Sequence, residues 1–194
     1  MTVTAEDLTA ATVHVVKVLG QAADQDWSAA PGSNDLDAWQ TAEHLADTLM
    51  SYGAQLVARP AGHYVKFEAS AHKDATPVDL LEFVVAGAGL LAAAVRGAAD
   101  KVRAYHPSGM ADPAGFAGMG CVEVLVHGSD IAYGLGIAVD PPRAICRRVL
   151  ARMFPDVTPV DDEWTSLLYA TDRITLPNRE SRAGWRWRGA PLDE

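Results

Sequence analysis

Apolar residues recur at helical spacing along most of this chain. From Ala5 to about Ala23, Leu8, Ala11, Val15, Val18 and Leu19 fall on one face, the three-to-four-residue repeat of an amphipathic helix. Thr4, three residues before Asp7, supplies an N-cap and a negative first turn. Residues 24–35 include Pro31, Gly32, Ser33 and Asn34 and form a loop by composition. A second helix is predicted from about Asp37 to Ala58, through Trp39, His44, Leu45, Leu49, Tyr52 and Leu56, and Pro60 and Gly62 stop it. Residues 63–71 alternate apolar and polar, as a short strand or an extended crossing between helices would. Thr76-Pro77 opens a third helix reaching about Ala104, with proline in the first turn where it is tolerated. After a Pro/Gly-rich loop over 106–115, a fourth helix begins within 116–120 and ends at Gly134 or Gly136. Four long helices with few strand signals predict a mainly all-α protein, an antiparallel four-helix bundle over residues 1–140.

The character changes after Asp140-Pro-Pro142. Residues 141–194 are expected to be an appendage packed on the bundle. It would comprise a basic amphipathic helix from Arg143 to Phe154, a short helix from Trp164 to Thr171, and a polar, turn-rich tail. In that tail Trp185 and Trp187 alternate with Arg186 and Arg188, the pattern of a strand with one face on the bundle. The glycine pairs Gly118-Met-Gly120 and Gly134-Leu-Gly136 lack the preceding strand that a dinucleotide fingerprint requires. The longest apolar run, Phe83 to Val95, is too short to span a bilayer and is expected to be a core helix.

Within the fourth helix the chemistry stands out. Glu123 and His127 lie four apart, so both project from one face. Val122, Val124, Leu125 and Val126 leave no solvated stripe around them, and a helix apolar on nearly all sides is usually buried. A buried carboxylate is costly unless it is paired or binds a metal. The best third donor is His44 in Glu43-His-Leu-Ala-Asp47, on a helix that a bundle could set beside the fourth. Two imidazoles and one carboxylate suit a divalent ion, zinc ahead of nickel or iron, with a fourth position left open for water or a substrate. Asp47 and Asp130 each follow a proposed histidine ligand by three residues. Each could accept that imidazole's other proton and fix its tautomer, and Asp130 could equally hold a neighbouring helix end.

Glu-Val-Leu-Val-His-Gly-Ser-Asp130, followed by Ile-Ala-Tyr-Gly-Leu-Gly136, resembles the fourth-helix signature of the mycothiol-dependent maleylpyruvate isomerase family, within the DinB-like superfamily. His-Leu-Ala-Asp47 resembles that family's second-helix histidine motif. The resemblance covers about three-quarters of the chain as an architecture. It implies a DinB-like bundle holding a metal through His44, Glu123 and His127, with a low-molecular-weight thiol such as mycothiol as cosubstrate. The activity implied is transfer of that thiol to a small electrophilic substrate, or isomerisation of the substrate through it. A metal- or ligand-binding bundle without catalysis is the competing reading, and a structural, dimer-forming bundle without metal is a third.

The bulk properties narrow the partners. A net charge of −9 argues against general affinity for nucleic acid or anionic membranes. A small molecule and a thiol are therefore the expected partners, with a second copy of the chain as a candidate for a homodimer. The acidic opening Thr-Val-Thr-Ala-Glu-Asp7 contains no basic segment, and two cysteines make no disulfide framework, so the expected compartment is a reducing cytoplasm. Cys121 and Cys146 read as small buried hydrophobes. Arg143, Arg147, Arg148 and Arg152 read as a solvated helix face, or else as counter-charge to an anionic substrate. Arg173 reads first as a surface arginine near a helix end, with a reach toward the bundle mouth as the alternative. Tyr52 and Tyr133 are candidates to line a cavity, while His14, His63, His72 and His106 sit in polar or loop contexts without a role.

Overall fold

Side-chain caps start the four long helices. They are Thr4 before α1 (Ala5–Leu19), Asp37 before α2 (Ala38–Ala58), Thr76 before α3 (Pro77–Gly97) and Asp112 before α4 (Pro113–Gly134). Each accepts the backbone N–H three residues on, and the first three complete reciprocal capping boxes. Such a cap is worth about 1 kcal/mol. The computed structural model describes residues 2–194, and among them two further helices follow, α5 (Arg143–Met153) and α6 (Glu163–Ala170), with no β-strand.

Several boundaries differ from the periodicity. α1 passes into a 3-10 turn at Gly20–Ala22. α3 stops at Gly97 rather than near Ala104, where Ala98 turns extended, and Ala104 instead pairs with Ala111 in an isolated bridge. α4 starts at Pro113, earlier than predicted, because Asp112 caps Gly115 and the proline fills the first turn, where its missing N–H costs nothing. The Trp185–Arg188 stretch is not a strand. Its tryptophans nevertheless pack inward, with Trp185 5.7 Å from the Phe154 ring and Trp187 5.8 Å from His106.

The four long helices pack against one another around a core that includes Leu8, Leu45, Leu49, Leu91 and Leu125, all fully buried. Each such leucine contributes about 1.5–3 kcal/mol. α4 is the innermost element, buried along nearly its whole length. Its glycines serve packing rather than phosphate binding. A Cβ on Gly120 would lie 2.7 Å from Leu91 Cδ2, and one on Gly134 would lie 1.7 Å from the Pro31 carbonyl oxygen. The apolar run Phe83–Val95 belongs to a 21-residue helix that is long and apolar enough, by length and composition, to cross a membrane. One side of that helix packs on α2 and α1.

Residues 64–72 form the extended crossing and a turn at 73–74 leads into α3; α2 holds this segment by side chains. Asp47 Oδ1 accepts from Ala69 N at 2.7 Å, and Glu43 Oε1 accepts from Ala71 N at 2.9 Å. Gln55 accepts from Val65 N and donates to the His63 and Tyr105 carbonyls, each at 3.0 Å. Trp39 Nε1 donates to the Ala75 carbonyl at 2.9 Å. A crossing without a neighbouring strand has backbone N–H groups in need of acceptors, and the polar stripe of α2 supplies them.

The C-terminal pair is joined to the bundle by ion pairs. Arg148 of α5 bonds Asp7 of α1, and Arg152 bonds Asp112 at the start of α4. Arg143 bonds Asp140 and Asp162, and Arg147 bonds Glu163. The basic face is therefore an arrangement of internal pairs, with each guanidinium already matched to a carboxylate of the same chain.

Candidate functional site

One helical turn of α4 brings Glu123 and His127 together, with Glu123 Oε2 3.0 Å from His127 Nε2. From α2, the Tyr52 hydroxyl donates to Glu123 Oε1 at 2.9 Å. On the far side of the imidazole, His127 Nδ1 lies 3.3 Å from Asp130 Oδ2. Just beyond α6, Arg173 donates from Nη2 to Asp130 Oδ2 at 2.8 Å and from Nε to Oδ1 at 3.2 Å. A hydrogen-bonded chain thus runs Tyr52–Glu123–His127–Asp130–Arg173 and draws on three separate parts of the sequence. His44 stands beside it, exposed, its ring edge-on to that of His127 with centroids 5.4 Å apart.

The charges in this chain support one another. Burial opposes ionisation of Glu123, but the His127 and Tyr52 hydrogen bonds and the nearby His44 overcome it and hold the carboxyl below its ordinary range. Asp130 is likewise lowered, because His127 and Arg173 outweigh its burial. Burial works against the His127 cation too, yet the Asp130 and Glu123 carboxylates lift it to about 9. The Tyr52 phenol is pushed up by burial and by the Glu123 charge, so it stays a donor.

Some residues fall elsewhere than their spacing suggested. Asp47 does not serve His44; its carboxylate takes the Ala69 N–H and so holds the crossing. Tyr133 points outward, 84% exposed. Cys121 and Cys146 are buried, and burial raises both thiols, Cys146 to about 12. Neither is poised as a thiolate nucleophile. His106, given no role by its loop context, is half-buried against Tyr52, Tyr64 and Trp187 at ring distances of 5.8–6.0 Å. Burial pushes it down to about 4, against the pull of Glu123. No local spacing signals His106; Arg173, read first as a surface arginine, instead reaches inward and pairs with Asp130.

The donor set of His44, Glu123 and His127 has the composition of a divalent-ion site. Among the described residues, however, no three His, Cys, Asp or Glu side chains converge on a point where an ion could sit. Glu123 and His127 are joined directly, and His44 touches His127 only through its ring edge. Comparison with protein-family models, with curated proteins and with solved structures finds no match to this chain.

The His127 cation makes metal-free stability depend on pH. Its folded pKa of about 9 lies above its ordinary 6.5. The stabilisation from its charged form is therefore complete below pH 6.5 and is lost as pH rises toward 9. His106 works in the opposite sense. Its pKa is depressed to about 4, so its contribution is complete above pH 6.5 and lost as pH falls toward 4. Urea unfolding of chelator-treated protein should show a stability maximum near pH 6.5, with an alkaline loss on the order of 3 kcal/mol. His127→Gln should flatten the alkaline limb, and an unchanged limb would refute the assignment.

Proposed function

We propose that this bundle is a DinB-like, divalent-metal-dependent enzyme that uses a low-molecular-weight thiol such as mycothiol on a small electrophilic substrate, as a transferase or isomerase. His44, Glu123 and His127 would hold the ion. The observation that carries this reading is the buried Glu123 carboxylate, kept ionised and flanked by His127 of the same turn and His44 of the facing helix. An ion bound there would favour the thiolate form of a thiol. The chain's own contribution is orientation. Tyr52 fixes one Glu123 oxygen, Asp130 fixes Nδ1 of His127, and Arg173 fixes Asp130, so the C-terminal part is tied directly to the site. The histidine would ligate through Nε2, the nitrogen now bonded to Glu123, while Asp130 keeps its outer-shell place.

Titration of chelator-stripped protein with zinc, and separately with nickel, tests the ligand set. Near-stoichiometric uptake is expected, releasing about one proton at pH 7, because His127 must give up its proton to bind. The uptake should vanish in His127→Ala and weaken in His44→Ala. Proton release is read from the buffer dependence of the binding enthalpy. No uptake by the wild type would sink the metal reading. The self-satisfied hydrogen-bonded chain favours, in that event, a packing role for the pair. Uptake without turnover of any thiol and electrophile pair would leave the non-catalytic, ion-binding reading in its place.

A further inference from the structure

α3 is apolar on its outside as well as its inside. At about 100° per residue, Val78, Glu82, Val85, Ala86, Ala93 and Arg96 all point within about 60° of Gly89, and every one of these positions is exposed. This face runs about 27 Å along the helix. Of the nine large apolar side chains left exposed among the described residues, Val78, Val85 and Leu90 belong to α3. Val57 and Phe67 lie with Leu90 in the apolar groove beside it, a hollow of about 700 Å³. An apolar helix side of this extent is atypical of a surface that meets only water.

Its charges say what covers it. The face carries two charged residues of opposite sign, Glu82 and Arg96, each seven positions from Gly89. We infer that α3 is an isologous dimer interface, packed antiparallel against α3 of a second copy with Gly89 at the two-fold axis. In that register Glu82 of each chain meets Arg96 of the other, and Val85 meets Ala93. A two-fold interface requires such self-complementarity, because residue i that meets j must find j meeting i. A different partner would require no symmetry about Gly89. Small residues at the centre, Ala86, Gly89 and Ala93, let two helix backbones approach closely, and a Cβ on Gly89 would meet nothing of its own chain within 4 Å. Arg96 is already anchored at the end of the face, with Nε 3.0 Å from Glu6 and Nη2 3.4 Å from the Thr9 hydroxyl. This inference stands apart from the metal reading, since it uses no residue of the site.

Light scattering after size exclusion of the full chain should give the mass of a dimer at tens of micromolar protein. Gly89→Cys should form a disulfide-linked dimer under mild oxidation, because the two residues meet at the axis. Gly62→Cys, equally open but off the face, should not, and Cys121 and Cys146 are buried and add no background. In a Glu6→Gln background, which removes the own-chain carboxylate beside Arg96, Glu82→Arg and Arg96→Glu should each weaken the dimer by about tenfold, two like-charge contacts replacing two ion pairs, and the double exchange should restore it. A monomer at all concentrations would overturn the interface. So would a monomer that sediments with vesicles of neutral phospholipid, which would assign the face to a bilayer instead. A dimer in which Gly89→Cys links no faster than Gly62→Cys, or in which the double exchange fails to recover, would overturn the register.

Discussion

Arg152→Ala is expected to cost about 3–5 kcal/mol of folding stability, the range for removing one partner of a buried ion pair. Arg152 is the most buried guanidinium in an ion pair here, its side chain only 5% exposed. It donates to Asp112 Oδ1 at 2.6 Å, to the Gly189 carbonyl at 2.9 Å and to the Arg188 carbonyl at 3.0 Å. One side chain thereby ties α5, the cap of α4 and the C-terminal tail together. Its loss removes the cationic partner of the Asp112 carboxylate, itself 18% exposed and still capping Gly115, and leaves two tail carbonyls without these donors. The tail carries Trp185 and Trp187, so its release should also shift native tryptophan emission to the red. Arg152→Met keeps most of the volume and should be nearly as damaging if the charge and the hydrogen bonds matter. Urea unfolding followed by fluorescence decides it. A cost under about 1 kcal/mol with unchanged emission would show that the tail is held by packing alone.

Glu123→Ala should have an effect of similar size in metal-free protein, about 3–5 kcal/mol. It leaves the Tyr52 hydroxyl without its acceptor and the His127 cation with Asp130 as its one remaining carboxylate neighbour. Glu123→Gln preserves shape and an acceptor for Tyr52 but removes the charge, so it should cost less, about 1.5–3 kcal/mol. In both variants the His127 pKa should fall from about 9 toward its ordinary 6.5, because the carboxylate lifting it is gone and burial still opposes the cation. NMR titration of the imidazole reads this directly. A His127 pKa that stays near 9 in Glu123→Gln would show that Asp130 alone sets it.

Much of the local architecture was legible from periodicity and caps. Thr4, Asp37 and Thr76-Pro77 mark helix starts in the sequence, and each caps the helix it precedes. The ends were harder. Nothing apolar distinguishes Ala98 from the helix before it, and only the bridge between Ala104 and Ala111 shows that the chain has turned. The Trp185–Arg188 alternation suggested a strand, yet a strand needs a neighbour to pair with, and the tail finds aromatic partners and the Arg152 guanidinium instead.

Asp47 shows why spacing misleads on a helix. A carboxylate three residues after a histidine can face its own turn or an adjoining segment, and the N–H of Ala69 took it. Asp130, at the same spacing from His127, faces the imidazole because Arg173 holds it there from the other side.

What the sequence determined by itself is what depends on neighbours three or four residues away: the helices, their caps, the pairing of Glu123 with His127 on one turn, and the apolar surroundings that make that pair expensive. What only the tertiary structure decided is which distant groups compensate it. Tyr52 and His44 come from α2 and Arg173 from the segment after α6, 71, 79 and 50 residues from Glu123 in the chain. Their approach is set by helix packing that no local pattern encodes. The same reason separates the two sides of α3. Its hydrophobic composition was plain in the sequence, but which residues face the core and which face outward was settled only when α1 and α2 covered one side.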